Sequence, residues 1–227
     1  MATFNESQLE QAFVELFREQ GYDYVPGDSI IRDTRDVLLY DDLRGFLRKQ
    51  YRHVGITENE ISTAIAHLET TDGGGVYAEN VEAMRRIMDG FTIKREDPSK
   101  PNLYINLIDY NEPQNNSFKF VNQFSIDGER TRIPDGIVFV NGIPLVVLEF
   151  KNAIKENTTI ENAYTQLTVR YRRDIPKLFR YNAFVVISDG VKTVLARFSR
   201  PMSFSMAGAR LSTTIRRWKV DSTPCSQ

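Results

Sequence analysis

An aspartate, a glutamate and a lysine stand at the ends of two neighbouring predicted strands. Asp135 opens the run PDGIVFVN, and Glu149 and Lys151 close the run IPLVVLEFK. Because side chains alternate along a strand, Glu149 and Lys151 share one face, with Phe150 on the other. A carboxylate in so apolar a strand needs a counter-charge or a metal. The carboxylates of Asp135 and Glu149 are suited to Mg²⁺, or to Mn²⁺, with the ammonium of Lys151 beside a bound water.

This site forms only in one register of the hairpin that joins the two runs. If the Asn-Gly pair were a plain two-residue turn, Asp135 would lie opposite Leu148, on the wrong face of the sheet. A three-residue loop over 140–142, with its glycine left-handed in a bulge, instead places Asp135 opposite Val147 and diagonal to the glutamate. We therefore expect such a bulge, or an equivalent kink at Gly136.

The elements that position these residues follow from the hydrophobic periodicity. The spacing predicts an amphipathic helix over 5–20 and an all-helical insert of two or three helices near 41–90. Within the insert, Thr57 and Glu60 form a capping box, and the glycines at 73–75 are expected to act as a hinge.

From about residue 91 the pattern changes to short β-branched and aromatic runs. The predicted strands cover 103–110, 117–126, 134–141, 143–151, 183–190 and 191–198. A helix is predicted over 159–173. This order indicates an α/β fold, in which a mixed sheet is flanked by helices.

The composition excludes several classes of protein. The 227 residues have no long apolar run, and the N-terminus does not have a signal-peptide pattern, so a cytosolic (cytoplasmic) protein with no membrane association is expected. Cys225 is the only cysteine and there are two histidines, which excludes a disulfide framework and a Cys/His zinc cluster.

The charge is distributed unevenly, although the net charge is only −1. Residues 1–150 contain 15 basic and 25 acidic side chains, whereas residues 151–220 contain 14 basic and 4 acidic ones. The later segment could therefore face an anionic partner, or the opposite charges could pair across the fold.

The stretch IPDGIVFVNGIPLVVLEFKN (133–152) resembles the PD-(D/E)xK nuclease core of the restriction (R) subunits of type I restriction-modification systems. The likeness extends over about 115–200 and includes NNSFKFVNQFSI, NAYTQLTVRYRRDIPKLFRYNAFVVISDG and the basic Arg132. The resemblance implies a restriction-endonuclease-like fold. It also implies that Asp135 and Glu149 are metal ligands and that Lys151 is the catalytic lysine.

The motif family often adds an acidic residue from the first helix. Glu10 is the preferred candidate and Glu6 the competitor, and either could also be a solvated helix carboxylate.

Related nucleases also carry a Gln-x-x-x-Tyr motif on the helix that follows the lysine. Here Gln166 is followed by Arg170 at the fourth position, and Tyr171 falls one residue later, about 140° round an α-helix. Arg170 is a candidate phosphate clamp. The neighbouring basic side chains are candidates for the DNA backbone or for a solvated face: Arg172, Arg173, Lys177 and Arg180.

The resemblance implies an endonuclease domain over 1–200 and a linker over 201–227 that leads toward an ATP-dependent motor. The segment SDGVKT lacks the spacing of a Walker A loop, so ATP would act only in a motor that these residues do not contain. Trp218-Lys219 resembles the family's link toward that motor.

The implied function is that of a type I site-specific deoxyribonuclease, a hydrolase of unmodified foreign double-stranded DNA. Cleavage would follow ATP-driven translocation by the full-length subunit, with methyltransferase and specificity subunits as partners, and the isolated segment would be weakly active or inactive. Two alternatives are a docking and DNA-path module without independent cleavage, and a free-standing repair nuclease with the same core.

Overall fold

A six-stranded mixed sheet with helices on both faces forms the centre of the molecule. The structure is a computed structural model that describes residues 6–151, 164–190 and 193–196. The strands are β1 (Asp23–Pro26), β2 (Phe91–Ile93), β3 (Leu103–Ile105), β4 (Phe118–Asn122), β5 (Gly136–Val140), β6 (Ile143–Phe150), β7 (Phe184–Ser188) and β8 (Thr193–Ala196). The helices are α1 (Glu6–Glu19), α2 (Tyr40–Gln50), α3 (Glu58–Glu69), α4 (Val76–Asp89), α5 (Arg172–Asp174) and α6 (Pro176–Arg180).

The sheet has the order β1-β4-β5-β6-β7-β8. Strands β4, β5 and β6 form an antiparallel meander, β1 and β7 join it in parallel, and β8 closes the far edge in antiparallel pairing with β7. Strands β5 and β6 are thus central, which agrees with their nearly continuous apolar sequences.

The predicted helical insert is confirmed and consists of α2, α3 and α4. The capping box at the start of α3 is also confirmed, since the Thr57 hydroxyl accepts from the Glu60 N–H and the Glu60 side chain accepts from the Thr57 N–H. The glycines between α3 and α4 all have positive φ. Both helices pack into the same hydrophobic core as one face of the sheet.

Helix α1 covers the opposite face of the sheet. Its aromatic side chains meet the central strands, with ring centroids 4.5 Å apart for Phe17 and Phe120 and 4.7 Å apart for Phe13 and Phe150. The amphipathic stripe predicted over 5–20 therefore serves to fix α1 against β4 and β6.

Only part of the predicted strand 103–110 is a strand. Residues Leu103–Ile105 pair with β2, a strand that was not predicted, in a separate two-stranded sheet. The chain then turns because the Asp109 carboxylate accepts hydrogen bonds from the N–H groups of Asn111 and Glu112. Strand β1 was also missed, because four residues that end in proline carry little periodic signal.

The hairpin between β5 and β6 differs from the expected one. Asn141 and Gly142 have φ of 51° and 81°, and Val140 pairs with Ile143, so the connection is a plain two-residue turn with both residues left-handed. The expected three-residue loop is therefore wrong. Asn141 is held in the turn by its buried side chain, which accepts from the Ser117 N–H at 2.8 Å.

The irregularity that was expected in the loop lies inside β6 instead. Val138 pairs with Val146 but Phe139 pairs with Pro144, so Leu145 is an extra residue in β6. Proline has no N–H to donate to the ladder and commonly stands at such bulges. The bulge places Gly136 opposite Leu148, one residue further along β6 than a plain hairpin would.

Candidate active site

The β6 bulge brings Asp135 and Glu149 together. Since Gly136 pairs with Leu148, the next step along the ladder sets Asp135 directly beside Glu149 rather than diagonal to it. The expected position of Asp135 opposite Val147 is thus wrong, because Ile137 occupies it. Directly opposite residues share a face, as the site requires.

Hydrogen bonds hold the three side chains at the end of the sheet. The Phe150 N–H donates to Asp135 Oδ2 at 2.6 Å, and Lys151 Nζ lies 2.8 Å from Glu149 Oε1. The Lys151 N–H donates to the Ser188 carbonyl at 2.9 Å, which continues the pairing of β6 with β7. Lys151 is thereby anchored through both its backbone and its ammonium group.

Both carboxyl groups of the site have pKa values above their usual range. Burial raises the pKa of Asp135 to about 6, and the charges of Glu10 and Glu6 act in the same direction. Burial, followed by the neighbouring charge of Asp135, raises the pKa of Glu149 to about 7. A divalent cation between the two would offset both effects.

The donor set fits a magnesium ion that keeps part of its hydration. Mg²⁺ is usually held by one or two carboxylates together with waters and substrate phosphate oxygens. Across the described ranges, no group of three or more Asp, Glu, His or Cys side chains could hold a metal ion. Asp135 and Glu149 would supply two ligands to such an ion, and its other positions would be left to water and phosphate.

Of the two acidic candidates on α1, Glu10 is half-buried and contacts the end of β4, whereas Glu6 is exposed. The Glu10 carboxylate accepts from Asn122 Nδ2 at 2.7 Å and from Gln123 Nε2 at 3.2 Å. Neither amide was singled out from the sequence, although a polar pair directly after the predicted strand residues FKFV is a signal that could have found them. An accessory role for Glu10 remains a prediction.

The helix that carries Gln166 is wound more widely than an α-helix. Gln166–Tyr171 is π-helical, and the Arg172 N–H bonds the Leu167 carbonyl five residues earlier. Residues five apart along such a helix are about one turn apart, so the expected 140° offset of Tyr171 from Gln166 does not apply.

Tyr171 and Arg170, which are neighbours on this helix, differ in their exposure to solvent. Tyr171 is buried, and the Arg132 guanidinium lies 5.7 Å from its ring centroid, whereas Arg170 is exposed. The accessory roles of Gln166, Arg170 and Tyr171 remain predictions.

The basic run also divides into exposed and paired side chains. Arg172, Arg173 and Lys177 are exposed, but Arg173 Nε also donates to the buried Asp174 at 2.6 Å. Arg180 is half-buried and pairs with Glu79 at 2.9 Å. Arg180 therefore joins α6 to the helical insert.

A helix-flanked mixed sheet with two carboxylates and a lysine at the end of its central hairpin defines the restriction-endonuclease-like class. The chain matches the family described as type I restriction enzyme R protein N terminus over residues 3–201, and it belongs to that family.

Curated relatives agree with this family. The chain is 29% identical to the type I restriction enzyme HindI endonuclease subunit of Haemophilus influenzae over 206 residues, 86% of this chain and 19% of that protein. It is 27% identical to the putative type I restriction enzyme MjaIXP endonuclease subunit of Methanocaldococcus jannaschii over 208 residues, 85% of this chain and 19% of that protein. The chain thus spans about a fifth of the length of these relatives.

In the part of the chain that the structure describes, no helix combines the length and apolar character that a membrane span requires.

Proposed function

We propose that this chain is the DNA-cleaving domain of a type I restriction enzyme R subunit and that it hydrolyses phosphodiester bonds with Mg²⁺ or Mn²⁺. The observation that carries the proposal is the convergence of Asp135, Glu149 and Lys151 at the end of the β5–β6 hairpin. The relatives' names, which describe endonuclease subunits, support the same reaction class.

Each residue of the site has a distinct role in this proposal. Asp135 and Glu149 would hold the cation, which supplies Lewis acidity toward the phosphate and lowers the pKa of a bound water. Lys151, fixed by Glu149, would orient the attacking water and offset the negative charge that develops on the scissile phosphate. Glu149 is buried and Asp135 and Lys151 are partly buried, which strengthens these interactions because the local dielectric is lower than that of water.

The exposed basic side chains after the site provide a path for the DNA backbone. Arg170, Arg172 and Lys177 lie on the segment that follows Lys151 in the chain, and guanidinium and ammonium groups bind phosphate oxygens without reading sequence. Substitution of Lys177 by alanine should weaken DNA binding similarly for different sequences and reduce its salt dependence.

The proposal extends to the intact enzyme. In it, cleavage of unmodified double-stranded DNA follows ATP-driven translocation by the remainder of the R subunit, and methyltransferase and specificity subunits supply the choice of target. The domain would occupy residues 1–200, with 201–227 as the link toward the motor.

Metal binding by this chain is the first test. Calorimetric titration with Mn²⁺ should show one class of site that Asp135→Ala abolishes. The control is Asp33→Ala, which removes an exposed carboxylate remote from Asp135 in the chain and should leave the affinity unchanged. Equal Mn²⁺ affinities for the original chain and the Asp135→Ala variant would contradict the assignment.

Cleavage is the second test and uses the R subunit assembled with its partners. Asp135→Ala and Lys151→Ala should retain ATP hydrolysis but reduce DNA cutting by about a thousandfold or more, since each removes a group that acts on the transition state. Undiminished cutting by either variant would refute the proposed mechanism.

A docking role for the helical insert is a second candidate. Tyr77, Val81 and Met88 are about half exposed or more and follow one another at helical spacing on α4. If α4 binds another subunit, Val81→Asp should weaken assembly of the complex without changing Mn²⁺ binding by the chain. Unchanged assembly would leave the exposed residues as ordinary surface.

A further inference from the structure

Two side-chain amides converge on Glu10. Asn122 Nδ2 donates to Glu10 Oε1 at 2.7 Å, and Gln123 Nε2 approaches both carboxylate oxygens, at 3.2 and 3.3 Å. Glu10 belongs to α1 and the amides to the end of β4, so the contacts tie residues 112 and 113 positions apart in the chain. These contacts distinguish Glu10 from a helix carboxylate that only faces solvent.

The amides are themselves held in place. The Tyr24 hydroxyl donates to Asn122 Oδ1 at 3.0 Å, and the Arg18 guanidinium lies 4.5 Å from the centroid of the Tyr24 ring. Gln123 has a left-handed backbone with φ of 51°, which is uncommon for a residue of this type. The backbone conformation ends β4 at the point where the Gln123 side chain contacts Glu10.

The end of β4, which carries these amides, is adjacent to Asp135. Asn122 pairs with Gly136, the neighbour of Asp135, across the β4–β5 ladder. Phe13, one helical turn after Glu10, packs against Phe150, whose N–H holds the Asp135 carboxylate. These contacts connect Glu10 and its two amides to the segment that carries Asp135.

We propose that Asn122 and Gln123 are positioning residues that hold the Glu10 carboxylate beside Asp135, where it adds a third negative charge to the cation site. The inference rests on the proposed function, because it concerns the same site. Glu10 lies outside the two-carboxylate donor set, so its contribution is that of an outer carboxylate that increases the affinity for the cation.

The test is the Mn²⁺ affinity of the chain, measured by calorimetry. Asn122→Ala and Glu10→Gln should each weaken binding about tenfold, as expected for partners outside the direct ligands. In the Glu10→Gln background, Asn122→Ala should have no further effect, because both changes remove the same contribution. Gln11→Ala is the matched control, since it removes an amide of α1 that contacts Glu15 instead, and it should leave the affinity unchanged.

A second variant separates positioning from a merely structural role. Gln123→Asn keeps the amide and tolerates the left-handed backbone, but its side chain is one methylene too short to reach Glu10. We expect it to fold as stably as the original chain and still to weaken Mn²⁺ binding about tenfold. The thermal transition of each variant, followed by circular dichroism, establishes that it is folded.

The outcomes distinguish this inference from the proposed function. If Asp135→Ala abolishes Mn²⁺ binding but Glu10→Gln and Gln123→Asn leave it unchanged, the positioning role is wrong and the site itself stands. If Asn122→Ala weakens binding equally with and without Glu10, the amide does not act through Glu10 and the inference also fails. If Asp135→Ala has no effect, the proposed function fails first.

Discussion

The pKa values of two buried carboxyl groups in this protein shift in opposite directions, according to the groups that face them. Glu149 is buried beside Asp135, and its pKa rises to about 7. Asp174 is also inaccessible to solvent, but it accepts from Arg173 and Arg132, and these hydrogen bonds lower its pKa to about 2. The first arrangement places two carboxyl groups side by side, whereas in the second the carboxylate is neutralised by two guanidinium groups and serves the fold.

The Asp174 pairing predicts a pH dependence of stability. A carboxyl group with a lowered folded-state pKa stabilises the fold above its unfolded pKa of about 3.9, and that stabilisation is lost as the pH falls through about 2. We expect Asp174→Asn to lower the melting temperature by several degrees at pH 7 and by much less near pH 2. A difference that stays constant across this range would contradict the assignment.

Gly136 begins β5 directly after Asp135, and we predict that a larger residue at this position destabilises the fold. A Cβ at this position would meet the Phe120 ring at 2.6 Å, so Gly136→Ala should cost about 1–3 kcal/mol in the free energy of unfolding. It should also weaken Mn²⁺ binding, because Asp135 is the next residue. Urea unfolding and calorimetry measure the two effects.

The matched control is Gly45→Ala in α2. A Cβ there has no neighbour within 4 Å, and alanine favours a helix by about 1 kcal/mol over glycine. This variant should be slightly more stable than the original chain, with unchanged Mn²⁺ binding. Equal destabilisation by both substitutions would show that the contact with Phe120 is not the cause.

At the scale of elements, the β5–β6 hairpin decides whether a site exists. Its register depends on the bulge at Leu145 and on a turn that is held from outside the hairpin. The buried Asn141 side chain donates to the Leu107 carbonyl at 2.9 Å and accepts from the Ser117 N–H at 2.8 Å. The turn thereby joins the hairpin to the segments before β4.

Substitutions of Asn141 should separate these contributions. Asn141→Gly removes the side-chain hydrogen bonds but keeps the left-handed backbone, and we expect a loss of about 2 kcal/mol in the free energy of unfolding. Asn141→Ala should lose about 1–2 kcal/mol more, because alanine disfavours this conformation. Urea unfolding of both variants checks this order, and equal losses would show that backbone strain contributes nothing.

At the scale of the whole molecule, the helical insert and the sheet share one core. Buried residues of α2, α3 and α4 belong to the same cluster as those of β5, β6 and β7. The buried Asn80 of α4 reinforces this union, since its Nδ2 lies 2.9 Å from the carbonyl oxygens of both Phe179 and Asn182. We therefore expect the insert and the sheet to unfold as one cooperative unit.

Hydrogen exchange tests this cooperativity. The slowest amides of α4 should have the same opening free energy as those of β6. Asn80→Ala leaves buried carbonyls with fewer donors and should destabilise the chain by about 2 kcal/mol. Exchange of α4 at a clearly lower free energy than β6 in the original chain would show that the insert opens independently.

Local patterns in the sequence were sufficient to predict most of the strands and helices of this protein. Periodicities of 2 and 3.6 residues specify most strands and helices, the capping box needs only Thr57 and Glu60, and strand alternation alone puts Glu149 and Lys151 on one face. The likeness of residues 133–152 to type I R subunits indicates the family without the tertiary structure.

The tertiary structure alone decided how these pieces meet. The position of the β6 bulge depends on Pro144 and on distant partners of Asn141, so the expected loop was wrong although the expected face was right. Glu10 is distinguished from Glu6 by amides more than a hundred residues away, and the wide turn after Gln166 is not visible in local periodicity. Such features depend on contacts between segments remote in the chain, and a local pattern does not encode them.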